Sequence, residues 1–262
     1  MKIKIFLVSV MILLVIRIKG QEPPPDSTPH KIYSVNLQFG INQIKEKNLL
    51  PLVHRGTLTE LSVETEKIKS SLRQFQASFV YSRLKTNLEE MAKSGNIKLG
   101  FNYSCNFPIY QNSNLSYYLG PRTSLYYSYM LYPNWDDSHG YWADYLSFGL
   151  NNVLSVKREH EREWFTSLNI GLLSLFSRPD AIRPYKMDDS TFGGIVKALN
   201  SNIATGFINK ALQINFKTEY RFPLFLTKQE AITYSLDINR FSSDNAEPLF
   251  QVIHRVGIKI ML

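Results

Sequence analysis

The sequence predicts an all-β protein, an antiparallel transmembrane β-barrel of about twelve strands, with ten as the alternative count. Three observations lead there. Much of the chain alternates apolar and polar residues with a period of two, which puts successive side chains on opposite faces of a strand. The apolar rows are long, up to nine alternate positions from Leu115 to Leu131, whereas soluble strands usually stop after about 5–6 residues. The opposite rows are Ser, Asn, Gln and Gly with isolated charges, as suits a confined polar interior rather than a solvated lysine-rich face.

The N-terminus comes first in the argument. Lys2 and Lys4 precede an apolar run over residues 5–16, which gives way to Arg17, Lys19 and Gly20. That order is the layout of a secretory signal peptide. The run is shorter than the roughly 20 residues a helix needs to cross hydrocarbon. The expected organisation is a signal peptide over 1–20 cleaved between Gly20 and Gln21, a Pro-rich extended leader over 21–30, and one barrel domain over 31–262.

The strands follow in order. Tyr33, Val35, Leu37, Phe39 and Ile41 alternate with polar residues, as do Ile97, Leu99, Phe101, Tyr103, Cys105 and Phe107. The same holds for Leu212, Ile214, Phe216, Thr218 and Tyr220, and for Phe250, Val252, His254, Val256, Ile258, Ile260 and Leu262. Weaker alternation covers 57–67, 72–83, 115–131, 145–156, 164–176 and 231–240, with two short strands over 191–199 and 202–208. Single-chain bacterial barrels have even strand numbers and both ends on one side, so parity selects twelve over eleven. Long connections are expected at 43–56, 84–95, 132–143, 177–190 and 242–248, on the side away from the termini, with a tight turn at Asn209-Lys210. Tyr33, Tyr129, Trp135, Trp142 and Trp164 lie near strand ends, where the aromatic girdles of a membrane barrel sit. The competing fold is a soluble periplasmic β-sandwich or lipocalin-like barrel, which would turn its apolar rows inward.

The charge balance excludes some functions. The formal charge of +8 falls to +4 once residues 1–20 are removed, leaving 26 basic against 22 acidic residues. The basic residues are scattered, so no nucleic-acid partner is expected. The single cysteine, Cys105, excludes an intrachain disulfide and a cysteine-rich metal site. The Gly20-Gln21 processing site and the strand-dense, Tyr- and Asn-rich body resemble outer-membrane barrels of the Bacteroidota. That resemblance implies an outer-membrane location, lipid as surroundings, and the barrel insertion machinery as a partner during biogenesis. The chain departs from such barrels at Leu262, where they commonly end on an aromatic residue.

Chemistry has two candidate places. Trp135, Asp136, Asp137, Ser138, His139, Gly140, Tyr141 and Trp142 bring acid, hydroxyl and imidazole within a few residues of one outer loop. These could form a base with its orienter, although Asp, Ser and Gly between interface tryptophans are also ordinary turn chemistry. Hydrolase, metalloprotease, phosphate-loop and dinucleotide motifs are absent, and no metal or cofactor is expected. The second place is the polar face of the strands. Glu60, Glu64, Lys98, Arg122, Lys217, Glu219, Arg221, Asp237, Arg255 and Lys259 all fall on it. Charges of both signs in a narrow lumen must pair, and Asp237 with Arg255 is the preferred pair. The expectation is a non-enzymatic narrow pore, or a structural or surface-interaction protein; the alternative is a lipid hydrolase or acyltransferase working at the outer rim.

Overall fold

The computed structural model of the chain describes residues 30–46, 50–86, 93–131, 139–158, 162–179, 185–186, 191, 193–194, 197, 203–225, 228–243 and 246–262. Residues 1–29, which include the expected signal peptide and nearly all of the leader, lie outside them. The described residues form β1 (His30–Glu46), β2 (Leu50–Ile68), β3 (Leu72–Lys85), β4 (Ser94–Gln111), β5 (Leu115–Leu131), β6 (His139–Trp142), β7 (Asp144–Lys157), β8 (Glu163–Ser177), β9 (Tyr185–Lys186), β10 (Ile203–Phe207), β11 (Ala211–Phe225), β12 (Lys228–Ser243) and β13 (Ala246–Met261).

Ten strands close a ring in the order β1, β2, β3, β4, β5, β7, β8, β11, β12, β13, with β13 pairing back to β1 and every pair antiparallel. Closure gives the backbone amides partners around the ring and leaves it no open edge, the condition for strands to sit in hydrocarbon. The count is therefore ten, the alternative and not the first choice. β6 and β9 extend the wall beyond β5. β10 and β11 run the same way along β8, through Phe207↔Leu173 and then Gln213↔Gly171. The turn at 208–210 is thus an excursion within one strand and not the expected hairpin. Turn chemistry is shared by bulges and reversals, so the sequence could not tell them apart. Nor is 191–199 a strand: described residues 193, 194 and 197 are helical.

The apolar rows face outward. In β4, Ile97, Leu99, Phe101 and Tyr103 are exposed while Lys98, Asn102, Ser104 and Asn106 are buried. This inverts a soluble barrel and overturns the soluble alternative. In β3 the outward row reads Arg73, Phe75, Ala77, Phe79, Tyr81, Arg83, Lys85. From Arg73 to Arg83, at about 3.4 Å per residue and a tilt near 40°, the apolar stretch stands roughly 25 Å tall, the height of a hydrocarbon band.

Turns at 69–71, 112–114 and 158–162 share one end of the barrel with His30 and Leu262, whose amide donates to the Tyr33 carbonyl at 2.7 Å. The other end carries the connections over 86–93, 132–138 and 178–202. The expected long connections at 43–56 and 242–248 shrink to 47–49 and 244–245, because β1, β2, β12 and β13 continue further than their apolar alternation indicated.

Inside, apolar clusters lie toward both ends. Leu72, Tyr118, Val153 and Phe165 pack with Ile68 near the terminal end. Ile44, Leu84, Met130, Tyr141, Tyr145, Phe176, Ala211, Phe241 and Leu249 form a larger cap at the opposite end. Leu58, Val80 and Ile253 make a third small cluster. Ile253 breaks the polar row of β13.

Candidate functional site

The charged groups lie between the two caps, and strand parity puts them there. Even-numbered residues of β2 point inward, as do odd-numbered residues of β11, β12 and β13, so carboxylates and cations from opposite sides of the ring meet. The structure places all ten lumen residues named from the sequence on the inward face.

The first cluster lies toward the terminal end. Lys259 Nζ sits 2.7 Å from Glu64, 3.1 Å from Glu66 and 3.0 Å from Glu219. Arg221 reaches Glu66 at 2.7 Å, Glu219 at 2.8 Å and Glu163 at 3.2 Å. Lys217 reaches Glu64 at 2.6 Å and Glu219 at 2.8 Å. One carboxylate oxygen each from Glu64, Glu66 and Glu219 lies within 4.8 Å of the others, a spacing that could hold a metal ion. The ammonium of Lys259 bonds to all three, so the place of a cation among them is taken. The Arg221 guanidinium stacks 4.1 Å from the Phe165 ring and joins this cluster to the apolar seal beneath it.

The second cluster centres on Arg255, which bridges Glu60 and Asp237 and donates from Nε to Ser235 Oγ at 2.9 Å. Lys98 lies 4.2 Å above the Tyr126 ring. Arg122 is held by neutral groups, donating to Asn102 Oδ1 at 2.7 Å and Ser124 Oγ at 3.0 Å. Amides and hydroxyls fill the remaining space: Gln38 donates to Thr233 at 2.9 Å, Asn42 to Ser82 at 3.2 Å, and Gln251 to Asn42 at 3.0 Å. Two interior cavities beside Arg122 measure about 30 and 50 Å³. Each has room for on the order of one to four waters.

Glu66 and Glu163 belong to the network but were not among the residues named from the sequence. Glu66 shares the inward parity of Glu60 and Glu64, so its signal was present. Glu163 sits at the edge of a mixed-charge turn that reads as a solvated hairpin, and only the fold turns it toward Arg221.

Of the loop candidates, Asp136, Asp137 and Ser138 lie outside the described residues. So does Trp135. His139 opens β6 with its backbone paired to Lys186; its side chain is outside the described set. Trp142 corrects the girdle assignment, because it is fully buried and its indole N–H donates to Ser177 at 3.2 Å. The excursion of β6 folds that ring under the wall instead of presenting it to lipid. Tyr33 and Trp164 are outward and exposed. His254 is outward too, with Tyr234 Oη 3.1 Å from its Nδ1.

No protein-family model matches the chain, and neither does any curated protein. Among solved structures it is similar to the outer membrane protease OmpT from Escherichia coli, with a TM-score of 0.50 and 8% identity, over 94% of this chain and 100% of that one. The chain has the fold of an outer-membrane β-barrel. At that identity the likeness concerns the fold alone. The translocator domain of the autotransporter NalP from Neisseria meningitidis aligns at 7% identity over 97% of this chain and 94% of that one, and Neisserial surface protein A at 11% over 87% and 96%. Their TM-scores of 0.42 and 0.37 are too low to bear on this barrel.

Proposed function

We propose that this barrel resides in a bacterial outer membrane as a sealed, non-conducting structural or surface-interaction protein, delivered by a signal peptide over residues 1–20 and placed by the barrel insertion machinery. One observation carries the reading: between two apolar clusters the lumen holds a salt-bridge network, and the cavities described beside it measure only about 30 and 50 Å³. An ion crossing it would have to break buried pairs, each broken pair costing several kcal/mol. The outward apolar band supports the membrane location. The Bacteroidota origin rests on the Gly20-Gln21 site and composition alone.

The test is planar-bilayer recording on detergent-purified protein, with a heat-modifiable gel shift as proof of folding. Folded protein that gives no conductance steps supports the reading. Regular single-channel steps from folded protein would replace it with a pore. A lipid-hydrolysis assay on the same preparation addresses the enzyme alternative: turnover abolished by His139→Ala, with folding intact, would make the barrel a hydrolase.

A further inference from the structure

The outer wall carries a groove that the interior network does not explain. It measures about 660 Å³ and runs over β2, β3 and β4 at the end away from the termini, within the range of pockets that hold small ligands. The ladder arranges its walls in rows. Thr57 pairs with Arg83, Arg83 with Gly95, and Gly95 with Leu131; one row further in, Tyr81 pairs with Ile97. Gly95 is the notch. A Cβ added there would meet only the Tyr81 ring at 3.9 Å, so the space above it is open.

The rim above this apolar floor is cationic. Arg55 pairs directly with Lys85. Like charges directly opposite in a ladder repel, and among the described residues no acid faces the groove. Arg83 donates from Nε to Tyr81 Oη at 3.4 Å, which turns its guanidinium over the floor. Arg83 also ends the roughly 25 Å apolar stretch of β3, so the cations stand at head-group level; the notch at Gly95 lies in the Arg83 row, and Tyr81 and Ile97, one row further in, face acyl chains.

We infer that this groove binds an outer-leaflet lipid of lipid A chemistry, with its phosphate between Arg55, Arg83 and Lys85 and an acyl chain along Tyr81, Gly95, Ile97 and Leu131. The phosphate relieves the repulsion of the row, and the chain fills the notch. A free anion would use the rim and leave the floor empty. The inference rests on the outer-membrane reading.

Native mass spectrometry of the detergent-purified full chain tests it with three probes: bis-phosphorylated lipid A, the same lipid stripped of phosphate, and inorganic phosphate. Wild type should retain lipid A, bind the stripped lipid at least about tenfold more weakly, and keep its lipid in inorganic phosphate. The triple variant Arg55→Gln, Arg83→Gln, Lys85→Gln should lose about tenfold in affinity, as charge-assisted hydrogen bonds disappear. Gly95→Leu should weaken binding with every cation in place. Lys85→Gln alone serves if the triple variant does not fold. The control, Lys67→Gln with Arg73→Gln, removes the cationic pair at the opposite end of β2 and β3 and should bind as wild type does. Equal binding by groove variants and wild type, equal loss in the control, or displacement by inorganic phosphate would overturn the site. A chain that stays soluble without detergent would instead overturn the membrane reading.

Discussion

Lys259 shows how much one residue can carry in this barrel. Its ammonium is wholly buried and held by three carboxylates. Removing it leaves Glu64, Glu66 and Glu219 facing one another with only Arg221 and Lys217 to neutralise them. Lys259→Met should therefore destabilise the folded barrel by about 3–5 kcal/mol, the cost of breaking a buried pair from one side. Lys217, whose side chain is 17% exposed, should cost clearly less when changed to Met, because water can reach the carboxylates it leaves. Urea titration of the folded fraction, read by the heat-modifiable gel shift, compares the two variants. Equal midpoints would mean that burial of the Lys259 cluster contributes nothing. The same attention to single side chains corrects Trp142: an indole at a strand end reads as a girdle residue, yet here its N–H is satisfied by Ser177 inside the wall.

At the scale of the elements, closure depends on the seam between β1 and β13. Two glycines let the strands approach. A Cβ at Gly40 would lie 1.8 Å from the His254 carbonyl oxygen, and one at Gly257 would lie 2.2 Å from that of Leu37. Backbone cannot rotate away as a side chain can, so Gly40→Ala should cost about 1–3 kcal/mol or more, the usual penalty of overpacking. It should also slow insertion, since this is the pair that joins the two ends of the sheet; the appearance of the heat-modifiable band in lipid vesicles follows both effects. The outer faces of the strands make a separate prediction. Phe101 lies opposite Ala77, midway along the apolar stretch of β3, so Phe101→Arg should cost roughly 2–4 kcal/mol. The outward Ile109, near the terminal end of β4, should tolerate Arg at about 0–1 kcal/mol. A flat response along the strand would mean that no hydrocarbon band surrounds the barrel.

The whole molecule has a direction, set by where its turns and termini fall. The tight turns and both ends of the barrel lie together, which in an outer-membrane barrel is the periplasmic side. With Cys105 replaced by Ser, a cysteine at Lys93 should react with a membrane-impermeant maleimide on intact cells, and one at Ser113 should react only after lysis. The reverse pattern would invert the barrel and move the cationic groove to the inner leaflet. The proposed occlusion is likewise a property of the whole ring. The cap near the outer end draws residues from β1, β3, β5, β6, β7, β8, β11, β12 and β13, and truncating any one of them leaves the charged layer beneath still closed. Tyr145→Ala should accordingly lower stability without creating conductance, as bilayer recording would show.

The sequence by itself determined the class of fold and the facing of the strands. Period-two alternation fixes which side chains share a face, and the length of the apolar rows distinguishes a membrane wall from a soluble core. That was enough to bring Glu60, Glu64, Lys98, Arg122, Lys217, Glu219, Arg221, Asp237, Arg255 and Lys259 to one interior, and to put Asp237 beside Arg255. The tertiary structure decided what alternation cannot encode. Ten strands and not twelve close the ring, because the turn at 208–210 is an excursion along β8 and pairing direction has no signature in a single strand. Glu66 and Glu163 join the network through partners more than fifty residues away. The outer apolar cap forms because Tyr145, Phe176 and Phe241 converge from separate strands, and Arg55 meets Lys85 because register aligns them. Each of these depends on distances across the ring, which the order of residues along the chain does not specify.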